Sequence, residues 1–339
     1  MVSPAEAPVR AEACALCGGE SSHPVVTAYD RMVARPADYA YVQCDTCALV
    51  RLNPMPSPGE IAMFYPDHYR PHVGEARRDD RKLINRLAIR YLYGVDSRSR
   101  SPLLRRLFRA ISGRVMAAIR EPLGDNRVLD VGCGSGSLLA RYRALGWTVR
   151  GIEMDPRACA VCRERGIDVH HGTVFDAPFA EGEFDLIILH HVIEHVLDPV
   201  GVLRRVRELL GPAGLAEVQT PNIEGAGFAW YGSCWYALDA PRHLMLFSPR
   251  TLRALSRRAG LDVRSLKTAV GTAILRQSHH YAKAQGRTLP PDLAARAAIV
   301  ATAAGAPRSD RFYRTLVGPV ARVAAAVGRG EVLEAELAR

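Results

Sequence analysis

Between residues 127 and 220 the chain alternates short, continuously apolar runs with longer amphipathic ones. Arg127-Val-Leu-Asp-Val131 has strand length and stops at a glycine, and Ser137 to Leu145 continues with helical spacing. Trp147 to Ile152 is a second apolar run, closed by Glu153. Phe184-Asp-Leu-Ile-Ile-Leu189 is apolar nearly throughout, as a strand buried on both faces of a parallel sheet should be. Val202, Leu203, Val206, Leu209 and Leu210 then recur every three or four residues, with Arg204, Arg205 and Arg207 turned the other way. Asp198-Pro199 supplies an N-cap and a first-turn proline for that helix, Gly211 to Gly214 ends it, and Leu215 to Thr220 reads as the next strand. This alternation predicts an α/β fold, a doubly wound sheet that binds ligands at the carboxyl ends of its strands.

The loop after the first strand, Gly132-Cys-Gly-Ser-Gly136, carries the first candidate chemistry. Gly132, Gly134 and Gly136 leave no side chain between backbone and ligand, and the following helix offers its positive end to an anionic group. Asp130 adds a carboxylate that can accept from an ammonium. A dinucleotide fingerprint would place its last glycine one position later, where Ser137 stands. An acid well placed for ribose hydroxyls is nevertheless present, as Glu153 at the end of the second strand.

On these residues the chain resembles the class I S-adenosylmethionine (SAM)-dependent methyltransferases, whose first motif is VLDxGCGxG followed by an acid at the end of the second strand. The resemblance implies a Rossmann-like sheet of seven strands. It also implies that Asp130, Gly132, Gly134 and Gly136 hold the methionine part of SAM, that Glu153 holds the ribose, and that Met154 packs on adenine. Asp176 stands where the fold bonds the adenine amino group, and Val174 and Phe175 are placed to flank the base. His190-His-Val-Ile-Glu-His-Val-Leu-Asp-Pro199 resembles the xxxVLEHVxDP segment of the same superfamily. His190 is counted with the cofactor-binding residues. His191 is a candidate general base, because it lies beside the methyl donor. Glu194 and His195 could each ligate a metal, but two ligands are too few for a site.

After the fifth strand comes an aromatic segment, Phe228 to Tyr236, and then Asp239-Ala-Pro-Arg-His243. Aromatics beside such a polar cluster suit a pocket for a sugar or polyketide ring, and His243 is the second candidate base. Pro249 to Gly260 reads as a helix, Leu261 to Lys267 as a strand, and Glu331 to Arg339 as the final strand. The Ala-rich stretch between these two strands reads as a helical insertion. It could cover the substrate site, form an oligomer face or simply brace the fold.

The flank on the other side contains two C-x₂-C pairs, Cys14/Cys17 and Cys44/Cys47, separated by 26 residues. Four thiolates at that spacing predict one tetrahedral, structural Zn²⁺. Leu52-Asn-Pro-Met-Pro-Ser-Pro-Gly-Glu60 and Phe64-Tyr65 follow, with a capping box at Ser57 to Glu60. This whole stretch resembles the zinc-binding module that precedes the SAM domain in bacterial methyltransferases acting on sugars and other small metabolites. The expected organisation is a zinc module (1–70), a basic helical linker (71–122), the methyltransferase core (123–268), the helical insertion (269–329) and the final strand of the core (330–339).

Charge adds one question. The 339 residues carry a net charge of +10, and Arg77 to Arg120 alone holds thirteen basic residues against three acids. A solvated helical face, a peripheral contact with an anionic membrane and a phosphate-tracking patch for RNA all fit that segment. No aromatic-rich RNA-binding signature accompanies it. There is no apolar stretch of membrane-spanning length and no signal-peptide pattern at the first residues, so a cytoplasmic location is expected and the eight cysteines read as ligands or packed thiols. The expected activity is SN2 methyl transfer to a small-molecule or sugar-linked acceptor in metabolite or envelope-glycan synthesis. An rRNA or tRNA methyltransferase with a zinc finger and a non-catalytic SAM-binding regulator are the alternatives.

Overall fold

The computed structural model describes residues 12–31, 37–65, 119–284 and 318–339. In chain order the elements are β1 (Ser22–Tyr29), β2 (Asp38–Cys44), β3 (Val50–Asn53), α1 (Pro58–Met63), β4 (Arg127–Val131), α2 (Ser137–Ala144), β5 (Thr148–Glu153), α3 (Pro156–Glu164), β6 (Val169–His171) and β7 (Phe184–His190). They continue with α4 (Pro199–Leu209), β8 (Leu210–Pro221), α5 (Ala226–Tyr231), β9 (Met245–Leu246), α6 (Pro249–Arg258), β10 (Asp262–Ala269), α7 (Thr272–Ala284), α8 (Gly318–Ala326) and β11 (Val332–Ala338).

Seven strands form the main sheet, in the order β10-β11-β8-β7-β4-β5-β6. The five from β6 to β8 are parallel, while β11 runs antiparallel to both β8 and β10. This is the doubly wound, Rossmann-like, seven-stranded sheet expected from the alternation. All of β7 up to Leu189 is buried, because helices cover both faces. On one face Leu129, Ile187, Leu189 and Val218 pack with Leu203 and Val206 of α4 and Leu255 of α6. On the other, Val128, Leu186 and Ile188 pack with Leu139 and Tyr142 of α2. β11 alternates instead, with Leu333, Ala335 and Leu337 inward and Glu334 and Glu336 less buried. β8 extends back to Leu210, so the Gly211–Gly214 turn lies within a strand. The strand order reverses at β4, which places its loop at the topological switch point.

A second sheet has the order β1-β2-β3-β9. Its fourth strand comes from the far side of the SAM-binding motifs in sequence: Val50 pairs with Leu246 and Arg51 with Met245. The cysteine-bearing residues thus share a sheet with Met245 and Leu246. The same junction holds a buried charge cluster. Arg242, 1% exposed, donates to Asp30 at 3.0 and 3.1 Å, to Asp239 at 2.7 Å and to the Phe64 carbonyl at 3.2 Å. Tyr41, fully buried, donates to the His243 carbonyl at 2.8 Å. Burial would raise Asp239, but the Arg242 charge outweighs it and holds the carboxyl below the usual range.

Most of the basic segment 77–120 and the middle of the insertion, 285–317, lie outside the described residues. At the end of the linker, Arg120 forms ion pairs with Glu217 and Glu336. Among the described residues no helix is long and apolar enough to cross a membrane.

Candidate active site

The glycine loop leaves β4 with Gly132, Gly134 and Gly136 all at positive φ (71°, 53° and 71°). Space forbids side chains there as well. A Cβ on Gly132 would stand 2.7 Å from Val192 Cγ2, and one on Gly136 would stand 2.6 Å from Ile167 Cδ1. The loop is therefore pressed against the turn that follows β7. Below it lie two buried carboxyls. Glu153, 4% exposed, accepts from the N–H groups of Gly134, Met154 and Asp155 at 2.8, 2.8 and 2.9 Å. Asp130, 5% exposed, has no hydrogen bond to its carboxyl among the described residues. Burial, and then the charge of Glu153, push Asp130 up to about 8.

Beyond β5 the surface turns apolar. Met154 and Phe175 are 69% and 56% exposed, unusually open for side chains of their size. Asp176 is exposed but already engaged, accepting from Thr173 N at 2.6 Å and lying 3.0 Å from His170 Nε2. These bonds, from Thr173 first and His170 second, hold its carboxyl far below the usual range.

The end of β7 separates two neighbouring histidines. His190 has its Nε2 buried without a hydrogen bond, 3.8 Å from Glu217. Burial, with a smaller contribution from His191, pushes it down to about 4. His191 sits at φ 56°, a left-handed conformation uncommon outside glycine. Its ring is about half exposed, and Nδ1 lies 3.1 Å from Glu194 Oε1. Burial opposes protonation here, but the Glu194 hydrogen bond and charge outweigh it, so His191 titrates above its ordinary value.

The turn continues with Glu194 and His195, both joined by residues from elsewhere. His195 Nδ1 lies 3.0 Å from Tyr65 Oη and 3.0 Å from the Arg242 carbonyl. His243, 7% exposed, places Nδ1 2.8 Å from the Ala237 carbonyl, and its ring meets that of His195 at 4.6 Å, edge to face. Tyr65 is the site residue that sequence reasoning missed, since no spacing rule links a tyrosine after α1 to a histidine 130 positions later.

The four cysteines converge at the start of the smaller sheet. Sγ atoms of Cys14 and Cys47 are 3.6 Å apart and those of Cys17 and Cys44 3.5 Å apart, and all four thiols lie within 4.8 Å of one another. Gly18 at φ 77° allows the first tight turn, and Gly19 N–H donates to Cys17 Sγ.

Residues 103–266 match the model of the family described as "Methyltransferase domain". The ubiquinone biosynthesis O-methyltransferase of Thiobacillus denitrificans is 32% identical over 160 residues, which are 43% of this chain and 69% of that one. Its counterpart in Cereibacter sphaeroides is 35% identical over 153 residues, 42% of this chain and 62% of that one. Among solved structures, a SAM-dependent methyltransferase of Thermotoga maritima, described as a possible histamine N-methyltransferase, shares 25% identity over 43% of this chain and 67% of its own, with a TM-score of 0.36. The sequence match spans the glycine loop, both following strands and the turn after β7, on a sheet that places them at one edge. The chain belongs to the class I SAM-dependent methyltransferases.

Proposed function

We propose that this protein transfers the methyl group of SAM to a hydroxyl oxygen of a small-molecule acceptor. SAM supplies a methyl already activated on sulfonium, so the protein's task is positioning and proton removal. The residues fit the cofactor. A buried carboxyl with no partner, beneath a loop that excludes side chains, is what a cationic ligand group would complete. Asp130 with Gly132, Gly134 and Gly136 would hold the methionine part, and Glu153, already fixed by three N–H donors, would present its remaining lone pair to the ribose. Met154 and Phe175 offer apolar surface to adenine, with Asp176 at the rim, and His190 closes the strand end behind the cofactor.

The observation that carries the reading is the His191–Glu194 pair. The imidazole is accessible, aimed by a left-handed backbone and held at Nδ1 by a buried carboxylate. Nε2 is then free to take the proton of an incoming hydroxyl. His243, the other sequence candidate, is buried with Nδ1 committed to a carbonyl, and we assign it to binding. His191→Ala should lower kcat about 100-fold while changing SAM affinity little. The rate of the unmodified enzyme should rise with pH, with a midpoint above the ordinary histidine value, since the base acts deprotonated. An unchanged kcat in the variant would remove His191 from the mechanism.

The O-methyltransferase relatives favour oxygen as the nucleophile, and the N-terminal module favours a sugar-linked or other metabolite acceptor. Transfer of labelled methyl from SAM into a host extract, fractionated into RNA, lipid and small metabolites, tests the acceptor class. Label in the metabolite or lipid-linked fraction is expected. Label in RNA would overturn the proposal.

The four cysteines fit a structural zinc ion. Zn–S bonds of about 2.3 Å in a tetrahedron set S···S at about 3.8 Å, close to the spacings present. Because β3 and β9 join this corner to the core, Cys44→Ser should abolish zinc retention and cost at least ~3 kcal/mol of stability. Zinc content and chemical denaturation measure both. A variant that keeps its zinc, or loses it without destabilisation, would refute a structural role.

A further inference from the structure

Glu194 is completely buried, yet only one of its oxygens is used. Oε1 meets His191 Nδ1 at 3.1 Å, and Oε2 has no hydrogen-bond partner. An acceptor left unmatched in this way destabilises the fold unless something fills the gap. Two imidazoles stand beside it, and their tautomers follow from what their other nitrogens touch. His195 Nδ1 is 3.0 Å from the Arg242 carbonyl and also 3.0 Å from Tyr65 Oη, a hydroxyl that can accept the same proton, and His243 Nδ1 is 2.8 Å from the Ala237 carbonyl. A carbonyl only accepts, so each Nδ1 carries the proton. Nε2 is then the lone-pair nitrogen of each ring. A carboxylate oxygen and one ring nitrogen from each histidine all lie within 4.8 Å of one another. Glu194 Oε2 is buried there without a donor, and a cation held between the three groups would complete it.

We infer that Glu194, His195 and His243 bind a divalent transition-metal ion, at a second metal site distinct from the four cysteines. Two imidazole nitrogens and one carboxylate suit zinc, manganese, iron(II) or cobalt, whereas magnesium and calcium take oxygen ligands. The Nδ1–carbonyl bonds are the outer contacts that fix a ligating histidine's tautomer and direction. Three protein ligands leave coordination positions open. The site adjoins His191, so an acceptor oxygen is the natural occupant of one of them. From sequence, Glu194 and His195 supply only two ligands; the third lies 48 residues further on and arrives through the loop before β9. The inference stands whether or not the acceptor is a hydroxyl compound.

Cobalt(II) separates the two sites. Chelator-treated, reduced full-length protein is titrated with Co²⁺, freed of excess metal and assayed for bound cobalt and its optical spectrum. A four-thiolate site gives intense sulfur-to-cobalt charge-transfer bands, whereas a nitrogen–oxygen site gives only weak d–d bands. The expected result is two Co²⁺ per chain. Glu194→Gln and His243→Asn should each hold one, with the thiolate bands at full strength, which also reports that the variants are folded. Wild-type protein holding a single, thiolate-bound cobalt would overturn the inference without reference to any variant. So would folded variants that still hold two.

Discussion

Asp130→Asn will weaken SAM binding by one to two orders of magnitude near pH 8 and remove the acid limb of its pH dependence. The argument starts from burial. Asp130 is raised to about 8 by burial first and by the Glu153 charge second, so below pH 8 the unliganded protein carries it protonated. A cationic amino group favours the ionised form, with a charge-assisted hydrogen bond of about 1.5–3 kcal/mol. Binding at pH 7 therefore expels about one proton, and affinity falls roughly tenfold per pH unit below 8. An α-amino group itself loses its proton near pH 8, so affinity should peak there and decline on both sides. Calorimetry in buffers of different ionisation enthalpy, from pH 6 to 9, reads the affinity and the proton together. The linkage to stability has the opposite slope. A carboxyl raised in the folded state stabilises below its unfolded pKa of about 3.9, and that contribution is lost as pH rises through about 8. The asparagine variant should therefore be no less stable than the unliganded parent at pH 8. Wild-type affinity that ignores pH, or a variant that binds SAM normally, would exclude Asp130 from the site.

What the sequence makes legible here is what is local. The parallel strands announce themselves because β7 is buried on both faces and has no polar alternation to confuse it. The glycine loop and the two cysteine pairs are legible because their chemistry depends on spacings of two or three residues. The junction between the two sheets is not legible. β9 is two residues long, too short to leave a periodicity, and its pairing with β3 spans nearly 200 positions. His243 invites reading as a base, since it stands in a polar cluster on a loop. Only the fold shows its Nδ1 committed to Ala237 and its ring against His195. Tyr65 and Asp30 give no local sign of their partners, because each meets them across that same junction.

Arg242→Met should cost about 3–5 kcal/mol of stability. The guanidinium is 1% exposed, Asp30 0% and the Asp239 side chain 15%, so the substitution takes an ion pair from both carboxylates and a donor from the Phe64 carbonyl at once. The pH dependence of stability should change as well. In the parent, Arg242 depresses Asp239, so that stabilisation is present above the ordinary carboxylate pKa and disappears as pH falls through the depressed value. In the variant the largest opposing charge on Asp239 is gone, so burial raises that carboxyl and stability should improve as pH is lowered from 8 to 5. Urea denaturation at both pH values tests the two slopes. Asp30→Asn and Asp239→Asn added to Arg242→Met should recover most of the loss, because they remove the negative charge that the guanidinium balances. A single variant within 1 kcal/mol of the parent would mean that the β3–β9 pairing and the Tyr41 and Tyr65 hydrogen bonds hold this junction without the ion pairs. A large loss that the triple variant reverses would mean that Arg242 balances buried charge at this junction; one that it does not reverse would mean that the guanidinium's own bonds to Asp30, Asp239 and Phe64 hold the junction together.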